Sequence, residues 1–514
     1  MAATAEDVAV EFQPPPAGEV MGHPRALWNL FGAEFWERFC YYGMRAMLAA
    51  HVANQFFSHL GDGAKAAASL TYGGFTSMVY MTAILGGFIA DRILGYQRSI
   101  LLGGSIMATG MFMLMAPDLT TFLAGLAVII VGNGLFKPNI STMVGKLYAP
   151  GDARRDSGFT IFYMGINAGA FFAPLICANW IGSKYGYGWG FVTAAVGMLF
   201  GLMVFQALRG WLGHVGASHK GAEGWKPVFM VLAGAAVLSV PVFLLLSKSD
   251  VLGGVLGFML LGLAAYFVLS GVRSGEKTQL HRYIAMLILF AGNTLFWALF
   301  EQAGSSLNFL AQDHVNMPQA SWLPEVLTKF TVFQSVNAVF IVLLAPVIAA
   351  LWPALEKRAM NPSIPRKFAL GLMIVAAGFA VLVFAIQSFV AEGAKISWVW
   401  LTLTYLIHTV AELCISPIGL SMVTKLARPK ETGLAMGGWF LSIAMANFVA
   451  GKIAAIATGG EAAAEGATAK VMTMAEKLTQ YQGVFLQLTY AGLAIGAVYF
   501  ILAPQVNKLM HGVK

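Results

Sequence analysis

The sequence predicts an all-α integral membrane protein of fourteen transmembrane helices, arranged as two six-helix bundles with a two-helix insertion. Three observations carry that expectation: too little charge for a wetted surface, apolar runs of spanning length, and a repeat relating the two halves. Hydrophobic residues make up 58% of the 514 residues and Asp, Glu, Lys and Arg only 11%, with a mean hydropathy of +0.71. A soluble domain carries about 25% charged residues. Most of this chain must therefore lie in lipid, which excludes soluble enzymes, nucleic-acid binders and disordered proteins. The net charge of +8 does not gather on one soluble face, and it reads as the bias of cytoplasmic loops toward Lys and Arg. Cys40, Cys177 and Cys414 all fall inside apolar runs, and nothing resembles a disulfide framework or a metal site.

The elements follow in order. Residues 1–25 are polar and acidic, with Pro14-Pro15-Pro16 and no basic start or cleavage site, and read as a cytoplasmic tail. Apolar runs at 27–55, 68–91, 98–116, 121–146, 157–181 and 188–212 make a first bundle within 26–214. Runs at 228–247 and 251–271 make an inserted hairpin within 224–273. Runs at 281–310, 325–351, 368–391, 397–426, 432–457 and 482–503 make a second bundle within 279–508. Each is long enough for a hydrocarbon core of about 30 Å, and continuous apolar runs exclude the alternating pattern of a membrane barrel. Arg92 and Arg98, Lys146 with Arg154 and Arg155, Lys357 with Arg358, and Lys425 with Arg428 and Lys430 occupy every second connection. Both termini are therefore expected on the cytoplasmic side of the inner membrane. The stretch 459–476 reads as a periplasmic loop with a short helix.

The halves repeat. P-N-I-S-T-M-V-G-K-L-Y-A-P at 138–150 aligns without a gap on P-I-G-L-S-M-V-T-K-L-A-R-P at 417–429. Repeated halves in a many-helix protein point to a transporter with its site between them.

Ionisable groups at mid-helix cost roughly 2.5–3.5 kcal/mol each on the lenient insertion scale and usually mark function. At roughly 100° per residue, Glu34, Glu37, Arg38, Tyr41 and Arg45 of the first helix share one stripe. They can pair internally and line a wet cavity, or staple helices together. Lys137, in G-N-G-L-F-K-P-N with Asn133 and Ser141 on its face, calls for a carboxylate partner, and Glu34 or Glu37 is the natural candidate. Glu301, in W-A-L-F-E-Q-A-G-S-S, is a carboxyl whose proton affinity depends on whether a cation such as Arg45 stands beside it. Glu412 completes the set, with His408 and Ser416 one turn away on either side. His408 reads first as a helix-packing residue. Asp91 and Arg92, in a short loop, suggest a gate latch or a plain turn. No Walker loop, nucleophile motif or metal-ligand spacing is present, so neither an enzyme nor a cofactor is expected.

E-F-W-E-R-F-C-Y-Y-G resembles the first-helix signature of the proton-dependent oligopeptide transporters, a branch of the major facilitator superfamily. D-R-I-L-G resembles the superfamily's loop motif. I-F-Y-M-G-I-N-A-G, G-L-F-K-P-N, F-E-Q and E-L-C-I-S-P-I-G-L resemble the family's other landmarks. The resemblance spans residues 26 to 450 and implies a major facilitator fold that takes up di- and tripeptides with protons. It implies that Arg45 and Lys137 bind the peptide carboxylate, Glu412 the amino terminus, and Asn167 and Asn337 the peptide backbone. Tyr41, Tyr42, Tyr80 and Trp439 are implied pocket aromatics; Glu34, Glu37, Arg38 and Glu301 are implied proton-coupling groups. Where animal members place a second-helix histidine, this chain has Gly73. The charges alone suit a zwitterion, with Arg45 and Lys137 in one half and Glu412 in the other. The expected partners are peptides, protons and lipid, without nucleic acid, and the expected unit is a monomer. A transporter of nitrate or another small anion, and a non-transporting receptor, are the alternative readings.

Overall fold

The computed structural model describes residues 12–149, 151–218, 223–390, 394–460 and 472–513. Fourteen long helices dominate it. The first six are α1 Arg25–Gln55, α2 Ala64–Ile89, α3 Tyr96–Met113, α4 Leu119–Lys146, α5 Arg154–Ala173 and α6 Tyr187–Ala207. The next two are α7 Lys226–Leu246 and α8 Ser249–Arg273. The last six are α9 Lys277–Phe300, α10 Phe333–Lys357, α11 Ile364–Val390, α12 Trp398–Leu426, α13 Thr432–Thr458 and α14 Met474–Leu509. Two short strand pairs, Glu19–Val20 with His23–Pro24 and Val315–Asn316 with Ile396–Ser397, trim the ends.

Twelve helices are long and apolar enough to cross a membrane on length and composition alone. The other two are α1, with Glu34, Glu37, Arg38 and Arg45, and α3, which opens on Tyr96-Gln97-Arg98. Burial of their polar groups within the bundle lets them span regardless. The expected fourteen-helix membrane fold is thus what the chain adopts. Several boundaries shift, and the 281–310 run breaks after Phe300. Glu325–Leu327 and Phe330–Val332 form separate 3₁₀ turns, so α10 begins at Phe333 rather than 325. Helix α14 already begins at Met474, started by a capping box between Thr473 and Glu476. Most of the 459–476 stretch, at 461–471, and most of the acidic tail, at 1–11, lie outside the described residues.

The two halves pack alike. Helix α1 packs on α5 and α6, α3 on α4 and α6, and α2 on α4. Eight helices later the pattern recurs: α9 on α13 and α14, α11 on α12 and α14, α10 on α12. The sequence repeat falls in α4 and α12, which hold equivalent places. The seams between halves are equivalent too, α2 against α13 and α5 against α10. At the first seam Gly73 and Gly451 meet backbone to backbone: a Cβ on Gly73 would stand 2.7 Å from the Gly451 Cα. Such close approach is how membrane helices gain dispersion contact.

Alternating passage puts the start of α1 and the end of α14 on one side, here the terminal side, together with the basic connections. On the opposite, far side, polar groups link the halves. Lys65 pairs with Asp313. Lys477 pairs with Asp62 at 2.5 Å. Asn179 donates to the Val326 carbonyl at 2.7 Å, and Ser335 donates to the Phe171 carbonyl at 2.8 Å. A cavity of about 260 Å³ lies among Asp62, Lys65, Asp313, His314 and Lys477.

Candidate functional site

Charged side chains of α1, buried within the bundle, open the site. Arg38 Nε stands 2.8 Å from Glu34 Oε1 and 2.7 Å from Glu37 Oε2. Glu37 is fully buried and its Oε1 accepts from Asn133 Nδ2 of α4 at 2.9 Å. Two turns of α1 further on, Arg45 does not join the acids of its own helix. It crosses to the other half, pairing through Nη2 with Glu301, while its Nε donates to the Tyr72 hydroxyl. The stripe therefore splits into an internal cluster and a bridge between halves.

The local backbone explains the bridge. Helix α9 breaks just past its end: Glu301–Gly304 is a 3₁₀ turn, and a new helix runs Ser306–His314. A break within the membrane frees carbonyls that other groups must satisfy. The Ala303 carbonyl accepts from Gln334 Nε2 at 2.7 Å and from the Tyr405 hydroxyl at 3.2 Å. Gly304 leaves the space that Tyr72 fills, since a Cβ there would overlap the Tyr72 hydroxyl. Discontinuous helices at the interface of repeats are where transporters build sites.

Lys137 departs from expectation. It forms no ion pair with Glu34 or Glu37 among the described residues; its Nζ lies 4.5 Å from the centroid of the Tyr80 ring. Glu37 is already held by Arg38 and Asn133, and the ring face offers the ammonium a favourable quadrupole. Tyr80 in turn stacks near Phe440 of the second half at 6.5 Å. Tyr41 packs edge-on against Tyr42 at 5.5 Å, and the Arg45 guanidinium lies 5.9 Å from the Tyr42 ring.

In the second half, Glu412 Oε2 accepts from Asn337 Nδ2 at 2.9 Å, and Asn337 also donates to Thr409 at 3.1 Å. The neighbours expected one turn away do not share this cluster. His408 turns to the Val375 carbonyl at 3.1 Å and packs on Phe379, a helix-packing role. Ser416 Oγ is buried without a hydrogen-bond partner. Asn167 donates to Tyr163 of its own helix at 2.9 Å. Trp439 is buried against Phe290 and Phe368, with Gly419 under its ring. Asp91 and Arg92 are exposed: Asp91 accepts from the Tyr96 hydroxyl and Arg92 lies over the Phe88 ring at 5.8 Å. Both contacts stay within this turn and its flanks.

Sequence reading missed Tyr72, Thr409, and the Lys65–Asp313 and Lys477–Asp62 pairs. Tyr72 carried one signal: it stands eight residues before Tyr80, roughly two turns along the same face. The three cysteines are free and buried, and no cluster of metal-binding side chains occurs among the described residues.

The chain has known relatives. The sequence pattern of the POT family matches residues 97–471. An uncharacterised transporter, YclF of Bacillus subtilis, is 36% identical, with 97% of each chain covered. The peptide transporter YePEPT of Yersinia enterocolitica is 34% identical, over 96% of this chain and 97% of its own. Among solved structures, a POT peptide transporter in complex with alafosfalin superposes with a TM-score of 0.79 at 34% identity, covering 97% of this chain and 98% of that one. A POT family transporter in complex with 5-aminolevulinic acid superposes equally well, at 0.79 and 29% identity, covering 96% and 99%. The family and these relatives are transporters matched over nearly the whole chain: the chain is a multi-pass membrane transporter, not an enzyme, and it belongs to the POT family.

Proposed function

We propose that this chain is a proton-coupled symporter of di- and tripeptides in the cell inner membrane, with both termini cytoplasmic. The observation that carries the reading is the bridge between halves, Arg45 of α1 on Glu301 beyond α9. A peptide is a zwitterion and needs a cation for one end and an anion for the other. Arg45 and Lys137 stand in the first half and Glu412 in the second, and Lys137 lies over Tyr80 without an ion pair among the described residues. While Glu301 is ionised it occupies Arg45. A proton on Glu301 removes that charge and leaves Arg45 to the peptide carboxylate, so substrate and proton favour each other. The Arg38 cluster with Glu34 and Glu37 is a second place where a proton can change a buried charge balance. Asn337 orients Glu412 for the amino terminus, and Asn167 stands ready for the peptide backbone from α5. The aromatics Tyr41, Tyr42, Tyr80 and Trp439 shape the apolar walls.

The equivalent seams support rocking of one half against the other. Far-side polar links support a resting state closed there, which the basic connections orient toward the periplasm. Both charge sets lie within one chain, which supports the monomer as the transporting unit, although one structural relative is described as tetrameric. The relatives' printed names, peptide transporter and dipeptide and tripeptide permease, favour peptides over small anions. Uptake of labelled dipeptides into proteoliposomes under an imposed inward proton gradient tests the reading. Accumulation that ignores the gradient, or uptake of nitrate in place of peptide, would overturn it.

A further inference from the structure

The inserted hairpin is divided between the halves. Its first arm, α7, packs on α4 and α2, and its buried residues Val231, Ala235, Val242 and Leu246 belong to the first half's core. At the terminal side the start of this arm is tied to α3, because the Arg98 guanidinium binds the carbonyls of Glu223 and Gly224. The second arm, α8, packs chiefly on α9 and α13, and near the apex it reaches α2, with Leu252 and Leu256 in the first half's core. At the terminal side its Ser270 and Tyr266 hydroxyls donate to Glu431 at 2.6 and 3.1 Å, and Tyr283 of α9 donates to the same carboxylate. Glu431 is buried with three hydroxyl donors, and Phe267 packs on Tyr283 at 5.0 Å between ring centroids. At the far side Asp250 pairs with Lys452 of α13 at 3.1 Å, and Gly253 sits under Phe448.

The arms join at the far side through Ser247 and Lys248 alone. There Leu246 of one arm and Leu252 of the other meet over Gly74 of α2, beside the seam where the halves touch. The apex thus lies at the far-side seam, while the terminal-side ends are bound to different halves.

We propose that the hairpin is a V-shaped strap across the α2–α13 seam, whose arms part and close as the halves rock. It rests on the alternating-access reading above. The strap bounds how far the terminal side opens. Arm α8 moves with the second half because charge pairs and hydroxyl–carboxylate bonds hold it at both ends. Arm α7 moves with the first half because its apolar face and the Arg98 tie hold it there. Relative motion is left to the joint at Ser247–Lys248.

Paired spin labels in the full-length protein in lipid test this, with the buried native cysteines left in place. One pair spans the arms at Phe229→Cys and Val272→Cys, both exposed. A second spans α8 and α13 at Val272→Cys and Leu434→Cys. A third reports on the halves at Thr142→Cys and Thr424→Cys. Distances are read at alkaline pH without peptide and at acidic pH with saturating dialanine. The expected result is a shift of several ångströms in the first and third pairs and none in the second. A shift in the third pair with fixed arms overturns the strap and leaves rocking intact, as does a shift between α8 and α13. A fixed third pair overturns both.

Discussion

Arg45 and Glu301 form an ion pair that joins the two halves inside the helix bundle, the arginine from α1 and the carboxylate from the turn that ends α9. The glutamate is nine-tenths or more buried, and Tyr72 holds the guanidinium from a third helix. Two opposite charges out of water stabilise little in net terms but are costly to separate. On the proposed coupling reading the pair is a catch, opened when something replaces one partner's charge.

Neutralising the catch should separate binding from coupling. In Glu301→Gln the amide oxygen can still accept from Arg45, so the fold is kept, while the titratable proton is gone. Counterflow exchange of labelled dipeptide should persist. Accumulation driven by a proton gradient should fall at least about tenfold, the equivalent of about 1.4 kcal/mol of lost coupling. Undiminished accumulation would remove Glu301 from the coupling path.

The Glu412–Asn337 pair predicts a binding defect without a folding defect. Glu412→Gln keeps an acceptor for Asn337 Nδ2 but loses the charge that a peptide amino terminus needs. A charge-assisted hydrogen bond is worth about 1.5–3 kcal/mol, so dipeptide affinity should fall roughly ten- to hundredfold. Calorimetric titration measures the affinity and a thermal melt in detergent measures the fold. Equal affinity with an equal melt would place the amino terminus elsewhere.

The membrane class, the fourteen spans and the repeat were legible because hydropathy and charge act locally along the chain. Glu34, Glu37 and Arg38 were legible for the same reason: one helix face brings them together. The partners of Arg45, Lys137 and Glu412 depend instead on how distant helices turn toward one another. Glu301 lies 256 positions from Arg45, and Arg45 was named as the cation beside it from the charges alone. Lys137 was assigned a carboxylate because isolated charge in lipid demands one, yet its ammonium lies over an aromatic face. Asp313 lies past the end of the 281–310 run, and only the close approach of α2 revealed its pair with Lys65.

Gly73 predicts that a histidine cannot be restored at that place. Its hydrogen faces the Gly451 backbone, and any side chain would push α2 and α13 apart. Overpacking of this kind costs about 1–3 kcal/mol. Gly73→Ala should lower the melting temperature and weaken proton-driven uptake, and Gly73→His should do so more strongly. A histidine variant that melts and transports like the parent would show that the seam is looser than the backbone contact requires.

Asn133 predicts a link between the α1 acids and Lys137. Its amide donates to Glu37 from α4, and Lys137 stands one turn further along the same helix. Asn133→Leu leaves Glu37 Oε1 buried without that donor, a loss of about 1–3 kcal/mol. The strongest replacement within one turn is the Lys137 ammonium, which would leave Tyr80 and turn to Glu37. Lys137 is then withdrawn from the peptide carboxylate, so dipeptide affinity should fall about tenfold, the 1.4 kcal/mol scale of one lost polar contact. Lys137→Gln should lower affinity by a similar factor. The double variant should fall no further than Lys137→Gln alone, because both changes remove the same cation from the site. Affinities measured across the four proteins form a double-mutant cycle. Losses that simply add would mean that Asn133 and Lys137 act on peptide separately.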